Sequence, residues 1–495
     1  MATDIAAPVE DGLDPNRDES GPVAIGLAQH GIPGVRGQVA ASGKTPFGQL
    51  FPKLEQERPL TTSEDDLDSL KALADAMIER PGTFNPSTRI PAGFTYFGQF
   101  VDHDLTFDPT STLGRRNLPE ELPDFRSPRF DLDSLYGSGP MDDAFMYDWD
   151  TRQDPGVKLL VGHNPEGPEF TAEDLPRNEQ GRALIGDPRN DENLIIAQLV
   201  LLFIRFHNKV VDLVRRDNRD MSSTELFVEA QQRVRWHYQW IVKHEFLPLI
   251  VEDDLVDVEP SHFEWDPATW PPMPVEFSVA AYRFGHSMVR DDYKLNDRHP
   301  NVPVFVPRVE SGPTLEGFRP LPRELEIEWK HFFFIDAATR PQMSMRIDAS
   351  LAEQLAHLPR DGASLPYLNL RRGNDLGLPR GDAVARELDV EPLSEAELLA
   401  ALPLDAEDRA REFVLHQMPL WYYVLSEARA RGDGGLRLGP TGGRIVAEVI
   451  NGLLQADPNS YVRADPAWTP TITSRQSGSF TIADLVRFTL GPTPG

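Results

Sequence analysis

Apolar residues recur every three or four positions through most of the chain from residue 61 onward, a period typical of amphipathic helices. Helices are predicted on this basis at about 61–80, 94–105, 192–217, 222–250, 274–290, 407–430 and 442–456. Strand patterns are few and short, and long proline-rich connections such as 107–130 and 291–325 separate the helices. The pattern therefore predicts a mostly α fold with long loops and few short strands.

Several helix starts carry a capping box, in which Ser or Thr is followed three positions later by an acidic residue. The pairs are Thr61/Glu64, Ser222/Glu225, Ser394/Glu397 and Thr481/Asp484. No linker after residue 61 is long enough to divide two cores, so residues 61–495 are predicted to form one large helical domain. Residues 1–60, rich in Gly, Pro and charge, are predicted to be an extended, partly disordered N-terminal arm.

Composition narrows the classes of function. Hydrophobic residues make up 40% and charged residues 26% of the chain, as in globular proteins. A net charge of −29 disfavours nucleic acid and anionic membranes as partners, because both require a basic face. The chain has no cysteine, which excludes disulfides, thiolate metal sites and cysteine nucleophiles.

Neither the start of the chain nor its apolar runs have the pattern of a targeting signal. The start has no basic region followed by an apolar run, so we expect no secretory signal. The most apolar segment, at 194–206, is shorter than the ~20 residues that cross a bilayer and is predicted to be a buried helix, so no membrane span is expected. These features favour a cytoplasmic protein or one exported by a non-classical route.

The first candidate site is the stretch GQFVDHDLTFDPTS at 98–111, which mixes apolar residues with four polar ones. Gln99 and His103 are four positions apart and share one helix face, while Asp102 and Asp104 point about 100° to either side of His103. One helix thus presents a histidine to one site while a neighbouring acid serves another. An ordinary solvated Asp-His-Asp surface is the alternative.

Three further segments carry candidate chemistry. In SPRFDLDSLYG (127–137), alternating Asp131 and Asp133, with Ser127 before them, offer the oxygen ligands that calcium prefers, although an acidic turn has the same pattern. Arg189 and Glu192 stand at the start of the most hydrophobic helix, where the alternative is a simple salt bridge. In AAYRFGHSMV (280–289), one histidine at position 286 lies on an apolar helix, as either a ligand or a buried core residue.

In this order and at these separations, the four segments resemble the animal-type haem peroxidase family of the peroxidase–cyclooxygenase superfamily. The later segments look most like the bacterial branch of that family. They are LPYLNLRRGNDLGLPRG (365–381), MPLWYYVLSEA (418–428) and LGPTGGRIVAEVINGLLQADPNSYV (438–462).

The resemblance implies a large helical domain around a buried haem b derivative. His103 matches the distal histidine of the family, Gln99 its pocket companion and Arg189 the distal arginine. His286 matches the proximal iron ligand, and Arg283 matches a partner of the haem propionates. Peroxide and a small electron donor are the partners that this site implies.

The resemblance also implies covalent links to haem and a bound calcium ion. Asp102 and Glu192 match the acids that form ester bonds to the haem. The residues that match calcium ligands are Asp104, Ser127, Arg129 through its backbone carbonyl, Asp131 and Asp133.

Two positions depart from the pattern of the family. Asn193 stands where some members carry a methionine bonded to haem, so that third link is expected to be absent. The partner of the proximal histidine is usually an asparagine, whereas the loosely matching region 338–353 offers Asp348 instead.

The predicted function is a haem peroxidase that reduces hydrogen peroxide and oxidises a halide, thiocyanate or phenol. One alternative is a fatty-acid dioxygenase of the same superfamily, whose radical-forming tyrosine lies three residues before the proximal histidine. Here that position is Arg283, and Tyr282 lies four residues before His286, which favours the peroxidase. The other alternative is a calcium-stabilised, non-catalytic binding protein. The donor and the oligomeric state are left open.

Overall fold

The structure is a computed structural model. It describes residues 45–54, 63–80, 84–108, 113, 117–164, 173–265, 270–299, 301–305, 313–358 and 362–491. The α-helices within these residues are α1 Glu64–Ala76, α2 Gly93–Leu105, α3 Asp133–Tyr136, α4 Leu194–Asp217, α5 Ser223–Ile241, α6 Leu247–Ile250, α7 Leu365–Asp375, α8 Gly381–Glu387, α9 Glu395–Ala400, α10 Asp408–Gln417, α11 Leu420–Arg431, α12 Pro440–Ala456, α13 Tyr461–Ala464 and α14 Ile482–Leu490.

The strands of the described residues are short and pair in twos. They are β1 Pro86–Pro91, β2 Gly162–His163, β3 Glu173–Asp174, β4 Asp292–Tyr293, β5 Val302–Pro303 and β6 Met343–Met345. β1 pairs with β6, β2 with β3 and β4 with β5, all antiparallel. The prediction of a mostly α-helical fold with few short strands is therefore confirmed.

Helix α4 runs through the core and supports α2. Its N-terminal half is buried, and the ring of Phe203 stacks on Phe100 of α2 with 4.6 Å between the ring centroids. By length and composition α4 is the one described helix that could cross a membrane, but 83% of its most apolar window is buried inside the fold. This agrees with the buried helix predicted from the apolar run at 194–206.

Three of the four predicted capping boxes are present, at the starts of α5, α9 and α14. Helix α1 is capped differently, because the Ser63 hydroxyl accepts from the Asp66 N–H at 3.2 Å and the helix begins at Glu64. Thr61, the predicted cap, lies outside the described residues. Ser63 and Asp66 have the same three-residue spacing as Thr61 and Glu64, so the sequence offers two overlapping caps. The prediction of Thr61 as the cap is wrong, because the helix uses Ser63.

Three predicted helices are not continuous α-helices. The segment 222–250 forms α5, a π-helical turn, Val242–Phe246, and then α6. The segment 274–290 forms a π-helical turn, Glu276–Ala280, followed by a 3-10 helix, Ala281–Met288. The segment 407–430 is broken into α10 and α11 at Met418, which has a φ of 41°, and Pro419. Proline disfavours helical backbone in the residue before it, so the break has a local cause.

The described part of the predicted N-terminal arm, residues 45–54, is packed into the core rather than extended in solvent. Phe47, Leu50 and Phe51 are buried. The buried carboxylate of Glu276 accepts the backbone N–H groups of Leu50 and Phe51 at 2.9 Å and 3.1 Å. This short segment therefore covers the fold beside the π-helical turn that precedes His286.

Candidate active site

Helix α2 places His103 in the interior, where its ring is held by an asparagine. His103 is fully buried, and its Nδ1 lies 2.8 Å from Oδ1 of Asn190, which is also buried. Because an amide oxygen can only accept, Nδ1 of His103 carries the proton and Nε2 carries the lone pair. The ring is therefore oriented as a neutral base.

Asn190 and Arg189 belong to one 3-10 turn, Pro188–Asp191, which leads into α4. The Arg189 guanidinium bonds to Asp187 and donates to the backbone carbonyls of His103 and Thr106, at 3.2 Å and 2.5 Å. Although burial opposes it, Arg189 lowers the pKa of Asp187 below its ordinary range. Arg189 is thereby fixed at the C-terminal end of α2, beside His103.

Gln99, one turn before His103, joins the two residues that precede α4. Its side-chain N–H donates to the Glu192 carboxylate, and its oxygen accepts from Nδ2 of Asn193 at 3.3 Å. The oxygen of Asn193 meanwhile accepts from the N–H groups of Ile195 and Ile196, capping α4. Asn193 thus has a structural role at the position where some relatives carry methionine.

His286 lies on the 3-10 helix Ala281–Met288, and its partner is Asn369 of α7. The two side-chain nitrogens, His286 Nδ1 and Asn369 Nδ2, are 2.7 Å apart, and Arg283 donates to Oδ1 of Asn369 at 2.8 Å. An iron bound at Nε2 would require the proton on Nδ1, and hence the amide oxygen of Asn369 turned toward the ring. That turn would break the bond from Arg283 to the amide oxygen, so the Arg283 side chain would have to move with it.

Asp348 is not the partner of His286, and this prediction is wrong. Its Oδ1 accepts from the Ser350 N–H at 2.9 Å, and Arg346 and Arg429 are its charged neighbours. Asn369 comes 83 positions after His286, and the packing of α7 against the π-helical turn Glu276–Ala280, which precedes Arg283 and His286, brings the two together.

A narrow cleft lies between the two histidine-bearing segments. Its lining includes Asp102, Thr106 and Arg189 from one side and Arg283 and Arg372 from the other. The cleft measures about 50 Å³, so a porphyrin would displace side chains that now meet across it. The fit to haem therefore rests on charge and donor atoms.

The charges of this cleft suit a dianionic group such as the two haem propionates. Burial and the neighbouring Arg372 lower the pKa of Arg283 to about 10. Asp108 lies 3.7 Å from the Arg372 guanidinium, while Asp102 lies 3.9 Å from Arg189. Arg189 is already paired with Asp187, so the positive charge that an anionic ligand would meet comes from Arg283 and Arg372.

The predicted calcium ligands converge beside α2. Carboxylate oxygens of Asp104, Asp131 and Asp133 all lie within 4.8 Å of one another. Burial and the neighbouring Asp131 raise the pKa of Asp104 well above its ordinary range, and burial raises that of Asp133 to about 7. The Ser127 hydroxyl donates to Asp131 at 2.9 Å. Such a cluster of hard oxygen donors suits a divalent cation.

Arg129, predicted to offer its carbonyl, directs its side chain to Asp131 and Trp270. The Nε atom lies 3.3 Å from Asp131, and the guanidinium lies over the ring of Trp270 at 4.0 Å. One oxygen of Asp104 accepts from the Leu132 N–H at 3.1 Å, and the other makes no hydrogen bond within the described residues. That second oxygen is available to a cation.

Ion pairs join the carboxylate cluster of Asp104, Asp131 and Asp133 to Arg189. Arg126 bonds to Asp187 at 2.9 Å and approaches Asp133 at 3.4 Å, and Asp187 in turn bonds to Arg189. Sequence reasoning missed Arg126 and Asp187, and it also missed Asn190, which adjoins Arg189 in the segment DPRND. That adjacency was the available signal for Asn190.

Comparisons with known proteins give consistent results. The family described as "Animal haem peroxidase" matches residues 119–458, which include Arg189 and His286 but not His103. The chain is 25% identical over 319 residues to a chorion peroxidase of Aedes aegypti, covering 61% of this chain and 37% of that protein. It is 25% identical over 361 residues to the thyroid peroxidase of Sus scrofa, covering 66% of this chain and 37% of that protein.

Two solved structures share the fold. Peroxidase A from Dictyostelium discoideum gives a TM-score of 0.64 at 16% identity, covering 90% of this chain and 93% of that one. The Oryza sativa fatty acid alpha-dioxygenase gives a TM-score of 0.56 at 16% identity, covering 84% of this chain and 76% of that one. Identities this low show the fold alone, and the chain spans well under half the length of the two animal peroxidases.

Proposed function

This chain belongs to the animal haem peroxidase family, and from that premise we propose that it is a haem peroxidase. It would reduce hydrogen peroxide and oxidise a small donor, which is a halide, thiocyanate or a phenol. The observation that carries the proposal is the fixed pair of His103 and Arg189, held at one end of α2 by Asn190 and Asp187. The later segments favour the bacterial branch of the family.

The residues that would hold haem lie on both sides of the cleft. His286 would bind the iron, Arg283 and Arg372 would meet the propionates, and Asp102 and Glu192 would form the ester links. Support comes from the positions of Arg283, Arg372 and Asp102 in the lining of the cleft. When bound, haem supplies the two-electron reduction of peroxide.

Proton transfer is assigned to His103. Nδ1 of His103 donates its proton to the amide oxygen of Asn190, so Nε2 is the nitrogen with the lone pair. It would take a proton from the inner oxygen of peroxide and return it to the departing oxygen. Asn190 keeps the ring in this tautomer, and Gln99 positions the adjoining Glu192.

Charge stabilisation is assigned to Arg189. Its guanidinium keeps its charge at all working pH values, and Asp187 fixes its orientation without filling every donor position. As the O–O bond breaks, negative charge would develop on the departing oxygen beside this cation, which lowers the barrier. Calcium at the carboxylate cluster beside Asp104 would hold the helix that carries His103.

Two other functions are disfavoured by particular residues. The dioxygenase of Oryza sativa has a related fold, but here Arg283 stands three residues before His286, and the hydroxyl of Tyr282 donates to the Gly98 carbonyl at 3.3 Å. A non-catalytic calcium-binding protein would have no use for the buried His103, Asn190 and Arg189 arrangement. Oxygen uptake with a fatty acid in the absence of peroxide would support the dioxygenase.

The decisive experiment is reconstitution with haem followed by visible spectroscopy. We expect a Soret band at about 400 nm in the wild type. In His286→Ala the band should be shifted and weakened, because the iron would lose its ligand. His331→Ala is the matched control, since it removes a buried histidine elsewhere in the fold. A wild-type protein with no Soret band, or equal spectra for both variants, would contradict the proposal.

A further inference from the structure

A second cavity lies behind the proximal histidine and shares no lining residue with the cleft described above. Its volume is about 160 Å³, and α7, α10 and the start of α11 enclose it. Its wall includes Asn369, which contacts His286, and Trp421, whose ring centroid lies 6.5 Å from the His286 ring at an angle of 77°. The cavity is therefore one side chain away from the proposed iron ligand.

The size and lining of this cavity suit a single aromatic ring. An apolar protein cavity of about 150 Å³ is large enough to hold benzene, and here the walls include Leu370, Leu378 and Phe413. The amide of Asn374 also lines the cavity, and its Oδ1 is buried and accepts no hydrogen bond within the described residues. A hydroxyl group on the ring would supply the donor that this oxygen lacks.

We propose that this cavity binds small single-ring phenols, and that Trp421 carries their electrons toward His286 and the haem. The proposal rests on the peroxidase function proposed above, and it places the phenol on the opposite side of the haem from the peroxide. The indole of Trp421 is itself fixed, because its N–H donates to the Arg283 carbonyl at 3.2 Å.

The electron transfer balances with peroxide as the oxidant. With haem bound and oxidised by peroxide, Trp421 would pass it one electron and recover that electron from the phenol. The phenol loses that electron and its hydroxyl proton, becoming a phenoxyl radical. The proton passes to water at the opening of the cavity. Two phenols and one hydrogen peroxide yield two phenoxyl radicals and two waters.

Binding can be measured without any turnover, by fluorine NMR of 4-fluorophenol titrated into the full chain. We expect saturable broadening with a Kd in or below the millimolar range. Gly373→Leu should weaken binding at least tenfold, because a Cβ at this helical glycine meets only the flexible Leu378 side chain, so the longer branch fills the cavity. Gly373→Ala fills less and should weaken binding less, and Asn374→Leu should weaken it by removing the acceptor.

The electron route is tested by single-turnover kinetics with Trp421→Phe, using the buried Trp329→Phe as the matched control. Because Trp421 also lines the cavity, both variants are compared at phenol concentrations that saturate their own measured Kd, and we expect Trp421→Phe to slow the phenol step at least tenfold relative to Trp329→Phe. Equal rates in the two variants would overturn the route, and unsaturable binding in the wild type would overturn the site. A chain that binds the phenol but not haem would instead refute the peroxidase function and, with it, the route.

Discussion

At the scale of single residues, the candidate site is organised by two asparagines. Asn190 holds His103 through Nδ1, and Asn369 contacts His286 through the same ring atom. An amide fixes the ring without adding charge, whereas a carboxylate would stabilise the protonated ring. The two amides meet the rings with different atoms, because Asn190 presents its oxygen to His103 and Asn369 presents its nitrogen to His286. The proposed tasks, proton transfer at His103 and iron binding at His286, would both need an amide oxygen at Nδ1.

Replacing Asn190 tests the orientation of His103. Asn190→Ala should slow the reaction with peroxide by about 10- to 100-fold, because the ring can then adopt the wrong tautomer and rotate. Asn190→Asp should recover part of the rate, with the low-pH limb of the rate–pH profile moved to higher pH. Stopped-flow kinetics across the pH range measure both effects.

Haem affinity is the control for these variants, since Asn190 does not line the cleft. If Asn190→Ala binds haem normally and keeps the wild-type peroxide rate and pH profile, the tautomer argument is wrong. Partial recovery by Asn190→Asp separates positioning from a general loss of stability, because a structural defect would not move the pH profile.

The sequence could single out His103, His286 and Arg189 as candidates, because they lie in distinctive local segments. It could not identify Asn369, since no local signal links α7 to a histidine 83 positions earlier. Asp348 was chosen in its place because it was the acid available in a poorly matching region. The partner of a ligand depends on tertiary packing, and only the fold supplies that information.

At the scale of elements, the sequence predicted helix starts correctly where a capping box within the helix's own first turn defines the start. The capping boxes of α5, α9 and α14 involve residues three positions apart, so the sequence contains the whole motif. The segment 274–290 is helical in its apolar period, but it alternates π and 3-10 backbone. The spacing of its apolar residues shows that the segment is buried on several sides. That spacing cannot distinguish an α-helix from a π- or 3-10 helix.

Glu427 shows how two elements are joined by a single buried carboxylate. It lies on α11, and it accepts from the Thr441 and Gly442 N–H groups at the start of α12, at 2.8 Å and 3.1 Å. The Thr441 hydroxyl donates to it as well, at 2.6 Å. The carboxylate therefore supplies the first turn of α12 with acceptors, as a capping residue would.

The stability of this junction should depend on pH. Burial raises the pKa of Glu427 from 4.5 to about 7, so the folded chain keeps a proton that the unfolded chain has released. Its contribution to the free energy of unfolding is present below pH 4.5 and is lost as pH rises through about 7. From about pH 5.5 to about pH 8 the loss is about 2 kcal/mol.

Denaturant unfolding of wild type and Glu427→Gln at these two pH values checks the prediction. The stability of wild type relative to the variant should decrease by about 2 kcal/mol as the pH rises, because glutamine does not titrate in this range. A constant difference between the two proteins would mean that the three donors keep the carboxylate ionised throughout.

At the scale of the whole molecule, charged residues connect separate parts of the site. Asp133 at the carboxylate cluster, Arg126, Asp187 and Arg189 form one chain of ion pairs that ends beside His103. A cation bound by Asp104 and Asp133 would therefore influence both α2 and the turn that bears Arg189. In a chain with a net charge of −29, a divalent cation also reduces repulsion among carboxylates.

Removal of calcium should consequently destabilise the protein. Calcium at about 100 times its Kd is expected to raise the free energy of unfolding by about 2.7 kcal/mol, which corresponds to about 2–3 °C in Tm for a chain of this length. Thermal melts with calcium and with excess chelator measure the difference. Magnesium should give a smaller effect, because it holds its own waters and prefers a stricter geometry.

Asp104→Asn separates a specific calcium site from general screening of the acidic surface. Without calcium, the variant should be at least as stable as wild type, because one buried carboxylate that is crowded by Asp131 and Asp133 has been neutralised. With calcium, it should lose most of the gain in Tm, because a charged ligand is missing. A variant that responds to calcium as strongly as wild type would show that the ion acts elsewhere, and α2 would then be held by protein contacts alone.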